Sequence, residues 1–189
     1  MISFKVQPCT RNEIKDFIQE WHYSKNINGV ISDYCFKLLD GDKLIGAMIF
    51  GRLAMAGTWK KYVDSQEKII ELRRLCCIDE TPKNTESYFI GRCLRWLKHN
   101  TKIEKIISYA DPEYGHCGTI YKASNFEYLG LTSKGRVIMW KGKKYHDKTI
   151  RTKYKGELKP FAKQVKKALE NGEAYYKKTK GKHIYLKYL

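Results

Sequence analysis

The sequence predicts a mixed α/β (α+β) fold in which helices cover both faces of one central mixed sheet. Apolar residues make up 42% and aromatic residues 13% of the 189 residues, which suffices for the core of one domain. The predicted elements follow one another in the order β-α-β-β-β-α-β-α-β-β, which is typical of such a sheet. From residue 132 onward the chain carries 18 Lys and Arg against 4 Asp and Glu, compared with 19 and 16 before it. We therefore expect a near-neutral globular body followed by a basic extension.

Five elements are predicted in the first half of the chain. Alternating or continuous apolar residues indicate the strands, and Thr10 caps a helix whose apolar residues share one face. The turn Asp40-Gly41-Asp42 signals a hairpin between the second and third strands. In chain order we expect a strand over Ile2–Gln7, a helix from Thr10 to His22, and strands over Tyr34–Leu39, Lys43–Phe50 and Lys68–Ile78.

The second half is predicted from the same signals. A helix begins at Asn84 or Thr85 and buries a stripe with helical spacing. The expected elements are that helix to Lys98, a strand over Lys105–Tyr109, a helix over His116–Ser124, strands over Phe126–Leu131 and Val137–Lys141, and an amphipathic helix around Leu158–Leu169. The predicted domains are a catalytic domain over residues 1–141 and a basic, DNA-binding extension over residues 142–189.

Composition and missing motifs exclude several classes of protein. The net charge of +17 indicates a polyanionic partner, with nucleic acid ahead of a membrane surface. The sequence shows no apolar run long enough for a membrane span and no signal peptide, so we expect a soluble cytoplasmic protein without a membrane partner. None of the six cysteines forms a C-x-x-C pair. Walker, G-x-G-x-x-G, H-E-x-x-H and G-x-S-x-G motifs are likewise missing from the sequence.

One segment concentrates residues whose side chains can take part in catalysis or bind a ligand. Asp111, His116 and Cys117 follow the predicted strand Lys105–Tyr109, and ligands bind at the carboxyl ends of strands in α/β sheets. Each residue also has a structural explanation, since Asp111 can cap a turn before Pro112. Their concentration favours a functional site over a plain connector.

Three other places can supply groups to that site. His22 and Tyr23 end the first helix, although the helix dipole alone explains a histidine there. Arg73 and Arg74 are consecutive in a strand, so one is expected to point at a cavity or anion and the other at solvent or Glu71. The helix that starts near Asn84 can bind phosphate through its free amides or can simply be capped.

The segment from Ile120 to Gly130 resembles the last motif of the Gcn5-related N-acetyltransferases (GNAT). Tyr121 and Phe126 have the spacing of that family's helix tyrosine and strand phenylalanine, with Asn125 in place of a glycine. The order of elements also matches a GNAT-like fold. The sequence departs from the family after the long strand, where residues 79–85 replace the Arg/Gln-x-x-Gly-x-Gly/Ala loop that binds coenzyme A.

Four short motifs in order resemble the Mom family of phage DNA modification proteins. They are WHYS at 21–24, ELRRL at 71–75, PKNTESYFI at 82–90 and YADPEYGHCGTIYKASNF at 109–126. The resemblance implies a GNAT-like enzyme of phage origin that converts adenine in double-stranded DNA to N6-carbamoylmethyladenine or a related adduct. Such modification protects DNA from restriction in the cytoplasm of an infected or lysogenic bacterial host. The donor, the sequence context and the oligomeric state, including a dimer, stay open.

The resemblance also implies roles for residues of this chain. His22, Tyr23, Arg74, Ser87, Asp111 and Tyr121 match the family's site positions. Iron proposed for the family would be held by Tyr23, Asp111 and His116, with His22 as a further ligand. The donor is unknown, and an acyl-type molecule, acetyl-coenzyme A or another, is the candidate.

The chemistry suggests how these residues act. Adenine N6 is a poor nucleophile, so Asp111 or His22 is the candidate general base. Tyr121 would protonate the leaving group or orient the donor, which Arg74, Thr85 and Ser87 would hold. A base buried in a duplex must be flipped out, and Tyr114 and Trp59 are candidates to stack on it. The basic stretch would bind the DNA backbone through Lys143, Lys144, Arg151, Lys153 and Lys155.

Two other functions remain as alternatives. The first is an N-acetyltransferase that uses acetyl-coenzyme A on a protein or small amine, which the altered loop argues against. The second is a nucleic-acid-binding protein without catalysis, in which Asp111 and His22 could be changed without effect.

Overall fold

The computed structural model describes residues 4–55 and 57–189. It contains twelve strands and four α-helices among these residues, with short 3₁₀ helices at Thr58–Lys61, Gln66–Lys68, Pro112–Tyr114 and Asp147–Ile150. In chain order they are β1 (Lys5–Cys9), α1 (Arg11–Trp21), β2 (Tyr34–Asp40), β3 (Lys43–Gly51), β4 (Ile69–Cys77), α2 (Thr85–Asn100), β5 (Lys105–Ala110), α3 (Thr119–Ala123), β6 (Glu127–Leu131), β7 (Arg136–Trp140), β8 (Lys143–His146), β9 (Lys153–Tyr154), β10 (Glu157–Leu158), α4 (Pro160–Glu170), β11 (Ala174–Lys178) and β12 (His183–Tyr188).

The chain divides into two compact units. The first comprises Met1–Ala110, Cys117–Gly130 and His183–Leu189, and the second comprises Asp111–His116 and Leu131–Lys182. The first unit is built on a seven-stranded sheet in the order β1-β2-β3-β4-β5-β12-β6. Strands β4 and β5 are parallel and are joined through α2, whereas β1 to β4 pair antiparallel in sequence order.

Helices cover both faces of this sheet, which confirms the predicted fold class. The predicted stripe of α2 is buried in the larger core, which includes Phe36, Met48 and Leu72. On the opposite face, Ile14 and Ile18 of α1 pack in a second core that includes Ala47, Ile49 and Cys76. Thr10 begins α1 as expected, and its backbone N–H and its hydroxyl both donate hydrogen bonds to Glu13.

The second unit has its own sheet, in the order β11-β7-β8. Val165 and Ala168 of α4 pack on Ile138 and Ala174 of that sheet, so the amphipathic helix predicted around Leu158–Leu169 is present with a buried face. Strands β9 and β10 form a separate two-stranded hairpin.

The basic segment is an insertion between two strands of the first unit's sheet. The chain leaves that sheet after β6 and returns as β12, which pairs antiparallel with β5 along six residues. This arrangement differs from the predicted division at residue 141. The sequence could not reveal it because the partner of β12 lies about 75 residues earlier in the chain.

Three further details qualify the predicted elements. Part of the predicted strand Ile2–Gln7 lies outside the described residues. The helix predicted over His116–Ser124 is limited to Thr119–Ala123, because Gly118 has a left-handed backbone with φ of 77°. Within the described residues, no helix is long and apolar enough to cross a membrane.

Candidate functional site

The parallel strands β4 and β5 of the first unit separate part of the way along their length. Their parallel pairing runs from Ile69 and Lys105 to Leu72 and Ser108 and ends there, although β4 continues to Cys77. The separation occurs toward the carboxyl ends of both strands, where α/β sheets bind ligands.

A β-bulge in β4 controls the direction of two arginines at this separation. Ile49 pairs with Arg74 and Phe50 pairs with Leu72, so Arg73 is an extra residue on β4. Arg73 forms the predicted ion pair with Glu71, at 3.2 Å. The expectation that the two arginines point to opposite faces is wrong, because the extra residue turns both toward the face that carries Glu71.

Arg74 is a half-buried cation held by backbone carbonyls. Its Nε and Nη2 each lie 3.3 Å from the Asn26 carbonyl oxygen, and its Nη1 donates to the Arg73 carbonyl at 2.7 Å. Burial lowers the pKa of the guanidinium, and the nearby Tyr23 opposes that shift. Among the described residues no carboxylate forms an ion pair with Arg74, which makes it a candidate binding group for an anion or a carbonyl.

His22 is buried, and its orientation is fixed by the loop that follows α1. Its Nδ1 accepts a hydrogen bond from the backbone N–H of Ser24 at 3.1 Å, and the Ser24 hydroxyl lies 2.8 Å from the same nitrogen. Because Nδ1 accepts from a backbone N–H, the neutral ring carries its proton on Nε2. His22 is therefore a hydrogen-bond donor through Nε2. Tyr23 stacks on the His22 ring with centroids 4.2 Å apart.

Tyr121 is buried among aromatic rings. Its ring lies 5.2 Å from that of Tyr185 and 5.5 Å from that of Phe126. Burial raises the pKa of Tyr121 to about 12, and the Ser108 hydroxyl opposes that shift. At neutral pH the Tyr121 hydroxyl keeps its proton and can donate it. Tyr23 contributes to the pKa of both Tyr121 and Arg74, and all three residues belong to the first unit.

Two residues near Tyr121 were not predicted as part of a site. Ser108 is fully buried on β5, and its hydroxyl donates to the Leu72 carbonyl of β4 at 3.3 Å. Glu71 influences the pKa of both Tyr121 and Arg74. A polar residue within an otherwise apolar strand was the available signal for Ser108, because burying a hydroxyl requires a hydrogen-bond partner.

The Tyr185 ring packs against Gly118, the residue before α3, and this contact leads to a stability prediction. A Cβ on Gly118 would overlap the Tyr185 ring, whereas a Cβ on Gly115 would meet no atom within 4 Å. Both glycines have left-handed backbones, so Gly115→Ala should lower the free energy of unfolding by about 1 kcal/mol through backbone strain alone. Gly118→Ala should lower it by an additional ~1–3 kcal/mol through overpacking. Urea unfolding of both variants measures the difference, and equal losses would contradict the contribution of the Tyr185 contact.

Thr85 and Ser87 lie in the first turn of α2. Thr85 is fully buried, and its hydroxyl donates to the Pro82 carbonyl at 2.6 Å. This hydrogen bond makes the Thr85 side chain part of the turn. Ser87 is half-buried two residues further along the helix.

Asp111 belongs to the second unit and follows β5 directly. Its Oδ1 accepts a hydrogen bond from the backbone N–H of Glu113 at 3.1 Å. Asp111 therefore caps the 3₁₀ turn at Pro112, which is the structural explanation given for it from the sequence. Its Oδ2 lies 3.1 Å from the Nζ of Lys182. Burial favours a higher pKa, but the Glu113 N–H and Lys182 together hold the pKa of Asp111 below its usual value.

The predicted iron ligands are divided between the two units. Tyr23 belongs to the first unit, whereas Asp111 and His116 belong to the second. The described part of the chain contains no group of three or more His, Cys, Asp or Glu side chains arranged to hold a metal ion. The ammonium of Lys182 at Asp111 would also compete with a cation there. The iron ligands therefore stay a prediction.

The predicted DNA-binding residues all lie in the second unit. Each of them is exposed to solvent: Lys143, Lys144, Arg151, Lys153 and Lys155. Lys144 differs from the rest because its ammonium forms an ion pair with Glu113 at 2.6 Å. Its Nζ also lies 5.5 Å from the centre of the Tyr114 ring.

The two candidates for stacking on a base have different surroundings. Tyr114 is 51% exposed in the second unit. Trp59 is half-buried against a small core of Leu53, Ile69, Ile107 and Leu186 in the first unit. Tyr114 therefore has the more accessible ring.

Comparison with solved structures supports the fold. The chain resembles an acetyltransferase of Bacillus subtilis in complex with CoA, with 12% identity, a TM-score of 0.56 and 99% of each chain covered. It is similarly related to Arabidopsis thaliana NAA60 in complex with acetyl-CoA, with 8% identity, a TM-score of 0.55 and 99% of each chain covered. At these identities the likeness concerns the fold alone, and it confirms the predicted GNAT-like architecture.

Comparison with known sequences identifies the family. The chain is 27% identical over 140 residues to the methylcarbamoylase Mom of Escherichia phage Mu. That match covers 72% of this chain but 57% of the relative, so the chain spans little more than half of the relative's length. The model of the Mom protein family matches residues 3–189. Together with the acetyltransferase-like fold, this match across almost the whole sequence shows that the chain belongs to the Mom protein family.

Proposed function

We propose that this protein is an enzyme that modifies adenine in double-stranded DNA, converting the N6 amino group to N6-carbamoylmethyl or a related adduct. The observation that carries the proposal is the match of the Mom family model to residues 3–189, and Arg74 and Tyr121 of the first unit offer groups that suit the reaction. Arg74 offers a cation without a carboxylate partner among the described residues, and Tyr121 offers a protonated hydroxyl. The name of the phage Mu relative supports the same reaction class. Protection of DNA from restriction would follow from the modification.

The reaction needs a new bond from adenine N6 to the methylene carbon of an activated donor. The leaving group departs with the electron pair of the broken bond, and N6 gives up a proton. Asp111 of the second unit stays the proton acceptor that the family resemblance implies, and its lowered pKa keeps the carboxylate ionised at neutral pH. N6 becomes much more acidic as the new bond forms, so a weak base suffices. His22 donates through Nε2, so we assign it to orient a substrate acceptor and not to remove the proton.

Arg74 and Tyr121 would act on the donor. The guanidinium holds an anionic or carbonyl oxygen, and such fixed positive charge stabilises the charge that develops in the transition state. The Tyr121 hydroxyl protonates or hydrogen-bonds the departing group. Ser108 would act as a positioning residue, because its hydroxyl faces Tyr121 from a buried strand.

The loop between β4 and α2 differs from the family loop that binds the pyrophosphate of coenzyme A. Asp79 and Glu80 place two carboxylates in this loop, and Pro82 has no N–H to donate. The backbone N–H groups of Thr81 and Thr85 already donate to carbonyls within the loop. Because these features are unfavourable for a pyrophosphate, we propose a donor that is held mainly by Arg74.

DNA is the proposed substrate because of the second unit. That unit carries 17 Lys and Arg against 6 Asp and Glu, a net charge of +11 of the total +17. Neutralisation of DNA phosphates by such a surface releases counterions, which predicts steep salt dependence of binding. Adenine N6 lies within the duplex, so the enzyme must flip the base out before reaction.

Mass spectrometry of nucleosides tests the proposal. Plasmid DNA from cells that express the protein should contain a new modified deoxyadenosine whose mass gives the adduct. The Asp111→Asn variant should yield none, while Asp79→Asn, an exposed aspartate in the loop after β4, should behave like the wild type. Unmodified DNA from folded wild-type protein would contradict the proposed function. A fully active Asp111→Asn variant would contradict the role of Asp111 and leave the reaction intact.

One observation favours a second candidate function, an N-acetyltransferase acting on a protein or small amine. Two solved structures that share this fold are complexes, an acetyltransferase with CoA and NAA60 with acetyl-CoA. Calorimetric titration with acetyl-coenzyme A separates the two functions. The loop geometry predicts no measurable binding, and tight binding would favour the acetyltransferase.

A further inference from the structure

A buried aspartate in the second unit holds two exposed arginines together. Asp147 is the first residue of the 3₁₀ helix Asp147–Ile150, and its side chain is 12% exposed. Its Oδ2 accepts a hydrogen bond from Nη2 of Arg151 at 2.6 Å. Its Oδ1 lies 3.4 Å from Nε of Arg136 on β7. One carboxylate therefore brings side chains from two separate elements to adjacent positions.

The two arginines face solvent despite this shared contact. Their side chains are 54% and 62% exposed for Arg136 and Arg151. Within the described residues, the Arg151 side chain donates one hydrogen bond, to Asp147, and the Arg136 contact is an ion pair without hydrogen-bond geometry. Most of their N–H donors are thus available to a ligand. Two guanidiniums and one carboxylate also leave a net charge of +1 at this place.

A third contact limits the motion of Arg136. Its guanidinium lies 4.2 Å from the centre of the Tyr176 ring on the neighbouring strand β11, a distance typical of a cation–π interaction. Arg136 is therefore held both by a carboxylate and by an aromatic face. Side chains ordered before binding lose less conformational entropy when a ligand arrives.

These features match a phosphate group. The planar guanidinium presents paired N–H donors that fit phosphate oxygens, and two ordered arginines can each bind one of them. Resting on the proposed action on DNA, we propose that Arg136 and Arg151, held by Asp147, form a binding site for a phosphodiester of the DNA backbone. Exposed lysines of this unit contribute general attraction, whereas this site fixes the position of one phosphate.

Replacing Asp147 distinguishes this site from general electrostatic attraction, because the two explanations predict opposite changes in the affinity for DNA. Asp147→Asn adds one net positive charge, which by itself tightens DNA binding. Without the carboxylate the two arginines are no longer held together, so the site predicts binding weaker by about tenfold. Glu157→Gln is the matched control, since it removes an exposed carboxylate that pairs with Lys163 in the same unit. It should leave binding unchanged or slightly tighter.

A second variant avoids the loss of a buried residue. Replacing both Arg136 and Arg151 by lysine keeps the charge and changes only exposed side chains, but it removes the paired donors. We expect affinity to fall by about tenfold while the slope of log affinity against log salt stays unchanged. Lys163→Arg with Lys166→Arg is the control on α4, and it should bind as the wild type does.

Fluorescence anisotropy with an unmodified 20-base-pair duplex measures all these variants across a salt series. Inorganic phosphate at matched ionic strength serves as the competing probe, and a DNA site predicts that millimolar phosphate displaces little duplex. Displacement by low phosphate would overturn the assignment to the DNA backbone in favour of a free anion. Tighter binding by Asp147→Asn, or unchanged binding by the double lysine variant, would overturn the site itself.

The measurement is independent of the modification reaction. If the variants weaken binding as expected but the wild type modifies no adenine, the phosphate site stands and the proposed function fails. If the wild type modifies adenine and the variants bind normally, the function stands and the site fails. Failure of the wild type to bind DNA would overturn the site.

Discussion

Replacement of Arg74 by glutamine is expected to lower the rate of adenine modification by about 10²–10³-fold, the range seen when a preorganised transition-state donor is removed. Arg74 has no carboxylate partner among the described residues, and burial lowers the pKa of its guanidinium. A cation kept in such surroundings interacts strongly with a developing negative charge. The modified deoxyadenosine formed at fixed times, measured by mass spectrometry, gives the rate.

The control for this prediction is Arg52→Gln. It makes the same change of charge in the first unit, at a side chain that is 63% exposed. It should retain wild-type activity. Arg74→Lys should be intermediate, because lysine restores the charge without the paired donors. Thermal unfolding must accompany the assay, since Arg74 also donates to the carbonyls of Asn26 and Arg73. A folded Arg74→Gln protein with normal activity would contradict the assignment.

Truncation after Gly142 is expected to prevent folding of the whole chain. It deletes β12, which lies between β5 and β6 in the seven-stranded sheet and contributes the buried side chains of Tyr185 and Leu186. A typical domain is stable by only about 5–15 kcal/mol, and losing a strand from within the sheet is expected to cost more than that. We expect no cooperative unfolding transition and no DNA modification. A cooperatively folded truncated protein would show that β12 is dispensable.

A different deletion separates the roles of the two units. Thr132 and Lys182 are joined by two hydrogen bonds of 2.9 Å, so the chain enters and leaves the insertion at neighbouring positions. Joining them through Asn-Gly, which favours a tight hairpin turn, should retain β12 and the fold of the first unit. Affinity for duplex DNA should fall steeply, because most of the net charge is removed. Wild-type DNA binding by this variant would contradict the role of the second unit.

Local signals in the sequence were sufficient for most elements of the fold. Thr10 and the apolar stripes predicted α1 and α2, and alternating residues predicted β2 and β3, because capping and side-chain periodicity act within a few residues. The motifs also predicted Tyr23, Arg74 and Tyr121 as site residues, and all three belong to the first unit. Composition alone located the basic segment and favoured a nucleic acid as partner.

Local signals failed where pairing between distant residues decides the structure. The bulge at Arg73 is defined by its register with β3, and a count of alternating residues cannot detect one extra residue. The direction of the hydrogen bond to Nδ1 of His22 depends on the loop at Ser24, and for this reason we propose His22 as a donor and not as the base.

The sequence by itself thus determined the elements as far as β7, the helix α4, the charge distribution and the family to which the chain belongs, whereas the strands β8 to β12 were not predicted. Only the tertiary structure decided that the basic segment is an insertion and that β12 completes the sheet, because β12 pairs with β5 across about 75 residues. The tertiary structure also decided the surroundings of Asp147, which the sequence alone presents as an ordinary surface acid in a lysine-rich stretch. Its burial between Arg136 and Arg151 depends on the packing of the second unit. Side-chain contacts between separate elements produce no periodic pattern in a sequence.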